Sequence, residues 1–274
     1  MNKTQAVGRL ARGLCAVGLA VGLQTAQAAP AWQINTNGSG LPGATPIAAN
    51  ANVSGVGFVQ AGPNPANQSQ YVFVEHGAYQ LLNSSANGPF GGKDITVVYS
   101  VSGNLSAQMA PSFSNGNIKL FADSNLDFGS AAGNYGADNG TLLASFSVTG
   151  GGAVSNTAVA LQAHLDPNSL LRGYLFDAYG NDMADARGVI LDLIVNNQMG
   201  NPDNLQVSEI VCGLAGYTGA GCNNTPFSNM YPFAYFVEDG GTVALTAVPE
   251  PGSMALLGVA LGGLSLIRRR KSMR

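Results

Sequence analysis

Along most of the chain, apolar and polar side chains take turns. In residues 94–101, Ile95, Val97, Tyr99 and Val101 occupy every second position, with Thr96, Val98 and Ser100 between them. This period of two gives a strand one strongly apolar face and one mixed face. Comparable runs occupy 52–60, 70–75, 118–122, 141–148, 158–165, 189–196, 206–212, 234–237 and 241–247, punctuated by Gly, Asn, Pro and Ser. Many short strands with one apolar face each bury those faces by packing sheet on sheet. The pattern therefore predicts an all-β fold, a single β-sandwich of about ten short strands. Only 166–171 looks like a helix start, with Asp166 as N-cap and Pro167 at the first helical position. Residues 35–50 lack periodicity and read as a loose leader, and Trp32, ahead of the first strand, can cover its edge.

The two ends break the alternation. At the N-terminus Lys3, Arg9 and Arg12 precede an apolar stretch at 14–23 and an Ala26-Gln27-Ala28 site, the layout of a signal peptide cleaved before Ala29. At the C-terminus Val248-Pro249-Glu250-Pro251 stops regular structure, because proline fixes φ and restricts the residue before it. The run 252–267 carries no charge and is apolar on every side, which suits lipid rather than water. At about 1.5 Å per residue it spans roughly 24 Å, a marginal crossing of a hydrocarbon layer of roughly 30 Å. Arg268, Arg269, Arg270 and Lys271 follow as a basic stop that stays cytoplasmic by the positive-inside rule. The organisation expected is a signal peptide over 1–28, an extracellular domain over 29–247, and a sorting segment with a hydrophobic helix over 248–274.

The tail, with its Val248-Pro249-Glu250-Pro251 motif, apolar run and Arg268-Arg269-Arg270-Lys271 end, resembles the PEP-CTERM sorting domain of Gram-negative bacteria. The resemblance implies an exosortase and the secretion machinery as partners in transit, with the membrane held through the C-terminal helix until processing. It also implies a destination at the cell surface or in the extracellular matrix, linked to extracellular polysaccharide. The stretches Ile118-Lys119-Leu120-Phe121-Ala122-Asp123 and Asp138-Asn139-Gly140-Thr141-Leu142-Leu143-Ala144-Ser145-Phe146 resemble the flocculation-associated branch of these proteins. That branch implies a protein that helps cells hold together.

Setting the ends aside changes the charge picture. The 12 basic and 15 acidic residues of the full chain nearly balance, but only Lys93, Lys119, Arg172 and Arg187 lie within 29–247, while Glu250 is the single acid outside it. The domain is acidic, which argues against nucleic acid, whose phosphates require a basic footprint. It favours solubility and attraction of divalent cations. Cys212 and Cys222 enclose a glycine-rich loop flexible enough to close, and an exported location favours a disulfide over two free thiols.

Candidate chemistry is sparse. Asp123, Asn125 and Asp127 alternate in a way that can turn three oxygens toward calcium, yet the sixth and twelfth positions of an EF-hand loop are filled by Phe128 and Asn134. A polar turn with Asx capping explains the same residues. A second acidic stretch, Asp177 to Asp182 with Asp185, offers similar oxygens or a solvated loop. No catalytic residues are assigned and no cofactor beyond the calcium candidate, because nucleophile elbows, zinc signatures and phosphate loops are missing. Glu75, Glu209, Glu238 and Asp239 are the carboxylates from which a glycoside-hydrolysing pair would have to come. The late aromatics, Tyr217, Phe227, Tyr231, Phe233, Tyr235 and Phe236, fit either core packing or a platform for sugar rings. The expected function is a non-enzymatic surface or matrix protein supporting flocculation or biofilm cohesion, with a secreted enzyme acting on matrix polysaccharide as the alternative.

Overall fold

The computed structural model describes residues 31–83, 90–155 and 157–248. Eight strands account for nearly half of it: β3 (Ala51–Asn64), β4 (Asn67–Leu82), β5 (Asp94–Leu105), β6 (Pro111–Asp123), β7 (Thr141–Ala153), β8 (Ala158–Leu165), β10 (Val189–Met199) and β11 (Ala234–Ala247). Each pairs antiparallel with its neighbour, and the last pairs with the first, from Ala234 opposite Gln60 to Val243 opposite Ala51. The sheet thus closes into an up-and-down barrel. The expected sandwich is overturned by this closure. Inward and outward residues alternate along a strand in both architectures, so the pattern within β5 cannot distinguish them. The deciding contact joins strands about 180 residues apart, and no local signal reports it.

The inward positions of the barrel are apolar over most of their length. Val53, Phe73, Leu81, Ile95, Val97, Val101, Ile118, Phe146, Leu161, Leu191, Val195 and Val243 form one continuous buried cluster. A three-stranded sheet, β2 (Thr45–Ile47), β1 (Trp32–Ile34) and β9 (Leu175–Asp177), closes one end and adds Trp32, Ile34 and Ile47 to that core. Trp32 is therefore a core residue in a strand of its own. The leader is not loose either: the Asn35 amide donates to the carbonyls of Gly40 and Pro42, at 2.6 and 3.1 Å, and holds the loop in place.

Three further expectations are corrected. Residues 206–212 are helical, not a strand: a turn at Asn204–Gln206 continues as a π-helix over Val207–Leu214. Asp203 caps it through a capping box with Gln206, and Ile210 and Val211 bury against Phe58, Ala78 and Phe236 on the outer wall. The strands expected at 234–237 and 241–247 are one strand, β11, running unbroken through Glu238, Asp239 and Gly240. Asp166 begins a turn rather than a helix, its carbonyl accepting from the Ser169 N–H at 3.1 Å.

The hairpins β3–β4, β5–β6 and β7–β8 all turn at the end of the barrel opposite the cap, which we call the mouth. Ala31 and Val248 both lie at the capped end, beside one groove. The barrel therefore receives and releases its chain at the same end.

Candidate functional site

The most unusual chemistry is inside the wall. Alternation sends Glu75 and Tyr79 of β4, Tyr99 of β5 and Asp239 of β11 inward, where apolar residues would be expected. Glu75 and Asp239 retain 5% and 4% exposure. Tyr99 Oη donates to Glu75 Oε1 at 2.9 Å and stands 3.4 Å from Asp239 Oδ2, while Tyr79 Oη donates to Asp239 Oδ2 at 3.0 Å. The two rings stack, with centroids 4.8 Å apart and planes 9° from parallel.

Glycines make room for this cluster. A Cβ at Gly57 would stand 2.5 Å from Tyr99 Oη, and one at Gly77 would stand 2.4 Å from it. Gly55 lies directly opposite Tyr79, and its Cβ would reach 2.4 Å from that ring. Glycine in a strand interior weakens the strand, and here the missing side chains are the space the tyrosines fill.

Two carboxylates share this space with two hydroxyl donors and, among the described residues, no buried cation. Burial is the main reason that the Glu75 carboxyl is raised to about 7, against the lowering pull of the Tyr99 hydrogen bond. Asp239 is raised well above the usual carboxylate range, first by burial and then by the Glu75 charge. Both tyrosines are raised as well, first by burial, and so remain hydrogen-bond donors. Asp239 Oδ1 and Asn197 Oδ1 are buried without a protein partner, and these residues face each other across β10 and β11. A proton retained on Asp239 turns one of two acceptors into a donor. The cavity beside the cluster measures about 20 Å³ and is lined by Glu75, Val97, Ile118, Leu161 and Leu193 among others. That is room for roughly one water, so the barrel has a filled interior rather than a ligand-holding calyx.

Of the four carboxylates singled out from the sequence, the fold brings Glu75 and Asp239 together. Glu238 points to the outer wall, and Glu209 accepts from the Gly133 N–H at 2.7 Å. His76 faces outward on β4, opposite Phe58 and Ser100, and burial lowers its pKa.

The acidic loop is used locally. Asp123 Oδ1 accepts from the Asn125 N–H at 3.2 Å, and the Asp127 carboxylate accepts from the Asn139 amide at 3.0 and 3.2 Å. The first is the hydrogen bond of an Asx turn, and the second ties the loop to Asn139 across twelve residues. Asp123 lies opposite Asp94, and its Oδ2 is buried without a protein partner. Among the described residues no group of three or more His, Cys, Asp or Glu converges in metal-binding geometry. Likewise Asp177 and Asp182 serve backbone N–H groups of their own loop, and Asp185 pairs with Arg172.

Cys212 and Cys222 are joined in a disulfide that ties the π-helix to the following loop. The late aromatics divide. Phe236 is fully buried, and Phe227 and Tyr217 pack on Phe58. Met230, Tyr231 and Phe233 stay about half exposed at the mouth. Of the sorting motif, Val248 donates its N–H to Gly188 O at 2.9 Å. Pro249, Glu250 and Pro251, the basic stop Arg268 to Lys271, and the cleavage site at Ala26, Ala28 and Ala29 lie outside the described residues.

By fold the protein is a closed eight-stranded β-barrel with an apolar core and a three-stranded sheet packed over one end. Its tail carries a PEP-CTERM protein-sorting motif, matched over residues 247–271, and so marks an exosortase-targeted protein exported to the cell surface or extracellular space of a Gram-negative bacterium. No curated protein and no solved structure matches the chain. The matched segment begins at Ala247, the last residue of β11, so the sorting signal joins the barrel without a spacer.

Proposed function

We propose that the barrel is a non-enzymatic protein of the cell surface or matrix, associated with extracellular polysaccharide and supporting flocculation or biofilm cohesion. The direct join between β11 and the sorting motif carries this reading: what the signal delivers is one folded barrel. The tight packing around the carboxylate pair supports it, because binding then falls to the surface and the open end of the barrel. The competing reading, an enzyme acting on that polysaccharide, draws on Glu75 beside Asp239. Glycoside hydrolysis requires a sugar between two carboxyl groups, and the cavity at this pair is the size of about one water. Deleting the gene is expected to reduce floc formation while polysaccharide production continues; unchanged aggregation would count against cohesion. Purified protein is expected to release no reducing ends from the polysaccharide. Release that disappears in Glu75→Gln would restore the enzyme.

A further inference from the structure

The mouth of the barrel holds a groove of about 440 Å³, apart from the carboxylate pair. Its walls come from the β5–β6 turn, the β7–β8 turn, the last residues of β10 and the first of β11. Tyr231 and Tyr235 face each other there with ring centroids 5.2 Å apart, and Tyr231 is 57% exposed. Gln108, Thr157 and Asn197 supply neutral hydrogen-bonding groups between them. None of the described lining residues is Asp, Glu, Lys, Arg or His, although the domain around it is acidic.

The frame is fixed before any ligand arrives. Ser106 Oγ accepts from the N–H groups of Gln108 and Ala110 and holds one turn. Ser155 Oγ accepts from Thr157 and Ala158 and holds the other, and Asn197 N–H donates to Thr157 O at 2.9 Å. Such preorganisation lowers the ordering cost of binding.

Sugars suit this surface. A pyranose ring presents apolar C–H faces, which pack on aromatic rings, and hydroxyl edges, which exchange hydrogen bonds with amides and hydroxyls. An uncharged wall leaves no partner for a carboxylate, sulfate or phosphate on the ligand. The volume lies within the range of roughly 300 to 1,000 Å³ typical of small-molecule sites. The groove is also at the end away from Ala31 and Val248, so a barrel held by its sorting tail presents it outward.

We infer that the groove between Tyr231, Tyr235, Asn197 and Thr157 at the barrel mouth is a binding site for an uncharged segment of polysaccharide. This rests on the matrix reading and names where that contact is made. The test uses the exported protein as it is recovered from cells. It is titrated against the extracellular polysaccharide fraction that passes an anion exchanger and against the fraction that is retained. Wild type and Tyr179→Ala, altered at a 90%-exposed position on the capped end, are expected to bind the uncharged fraction alike. Tyr231→Ala, and Thr157→Glu, which puts a charge on the rim, are expected to weaken that binding roughly tenfold. Unchanged affinity in both variants, or binding to the retained fraction alone, overturns the groove and leaves matrix association standing. Binding to neither fraction removes both readings. An oligomer that Tyr231→Ala turns into a monomer reassigns the mouth to a second copy of the chain.

Discussion

At the capped end Trp32, Ile34 and Ile47 lie at 0%, 1% and 3% exposure, whereas at the mouth Met230, Tyr231 and Phe233 keep 47%, 57% and 47% of their surface in water. Both ends are built of large apolar side chains. The difference is that β1, β2 and β9 lay a second layer over one end, while the other is bounded by turns. A layer converts apolar surface into stability, and its omission leaves that surface available to a partner. The chain also enters and leaves at the sealed end, so the exposed end lies away from both ends of the barrel's chain.

The strongest way to break this contrast is Trp32→Ala. Emptying a fully buried site is expected to cost about 3 to 5 kcal/mol in a denaturant titration, and a loss below about 1 kcal/mol would mean that the cap does not seal. Trp32→Phe should cost less, because Trp32 Nε1 has no partner to lose.

Midway between the ends, the carboxylate pair makes stability fall with rising pH. In the unfolded chain Glu75 ionises from about 4.5, but in the barrel only near 7, so between those values the folded state holds the extra proton. Stability is then full below pH 4.5 and declines by about 3 kcal/mol as pH rises to 7. Asp239, raised by burial and by Glu75, acts in the same direction. Thermal melts across this range should show the fall, and Glu75→Gln should flatten it. A Tm that rises with pH in the wild type would contradict the buried pair.

Replacing both Cys212 and Cys222 by Ser should cost about 2 to 3 kcal/mol from the lost loop constraint, and reducing agent should reproduce the shift. Tyr231→Ala, at the mouth, should change stability by no more than about 0.5 kcal/mol while abolishing most glycan binding. That split between fold and binding is what separates the two ends. Smallest of all is calcium at Asp123. An Asx turn predicts the same negligible heat for wild type and Asp123→Ala in calorimetry, and a wild-type signal lost on substitution would return the loop to metal chemistry.

How much of this could be read in advance varied with the range of the interaction. All eight barrel strands are visible as alternating runs, β11 as two separate ones. The misreadings were local conflicts: Val207, Ile210 and Val211 look like strand residues, but Asp203 and Gln206 three apart formed the capping box that announces a helix. Glu238-Asp239-Gly240 looked like a break between strands and is instead the middle of one. Glu75 and Asp239 are both evident in the sequence as carboxylates. Nothing adjacent to either showed that they meet, since their neighbourhood is created by pairing β11 with β3 and β3 with β4. Gly55 and Gly57, two apart in β3, and Gly77, opposite Gly57 in β4, are the available hint that large side chains occupy the interior beside them.

The sequence by itself determined the strand alternation, the disulfide partners and the sorting signal, because each depends on residues close together in the chain. Tertiary structure alone decided that the sheet closes, that two acids share a buried niche, and that one end is sealed while the other exposes tyrosines. Those outcomes depend on contacts between distant segments, where the cost of closing long loops is repaid only by the assembled core.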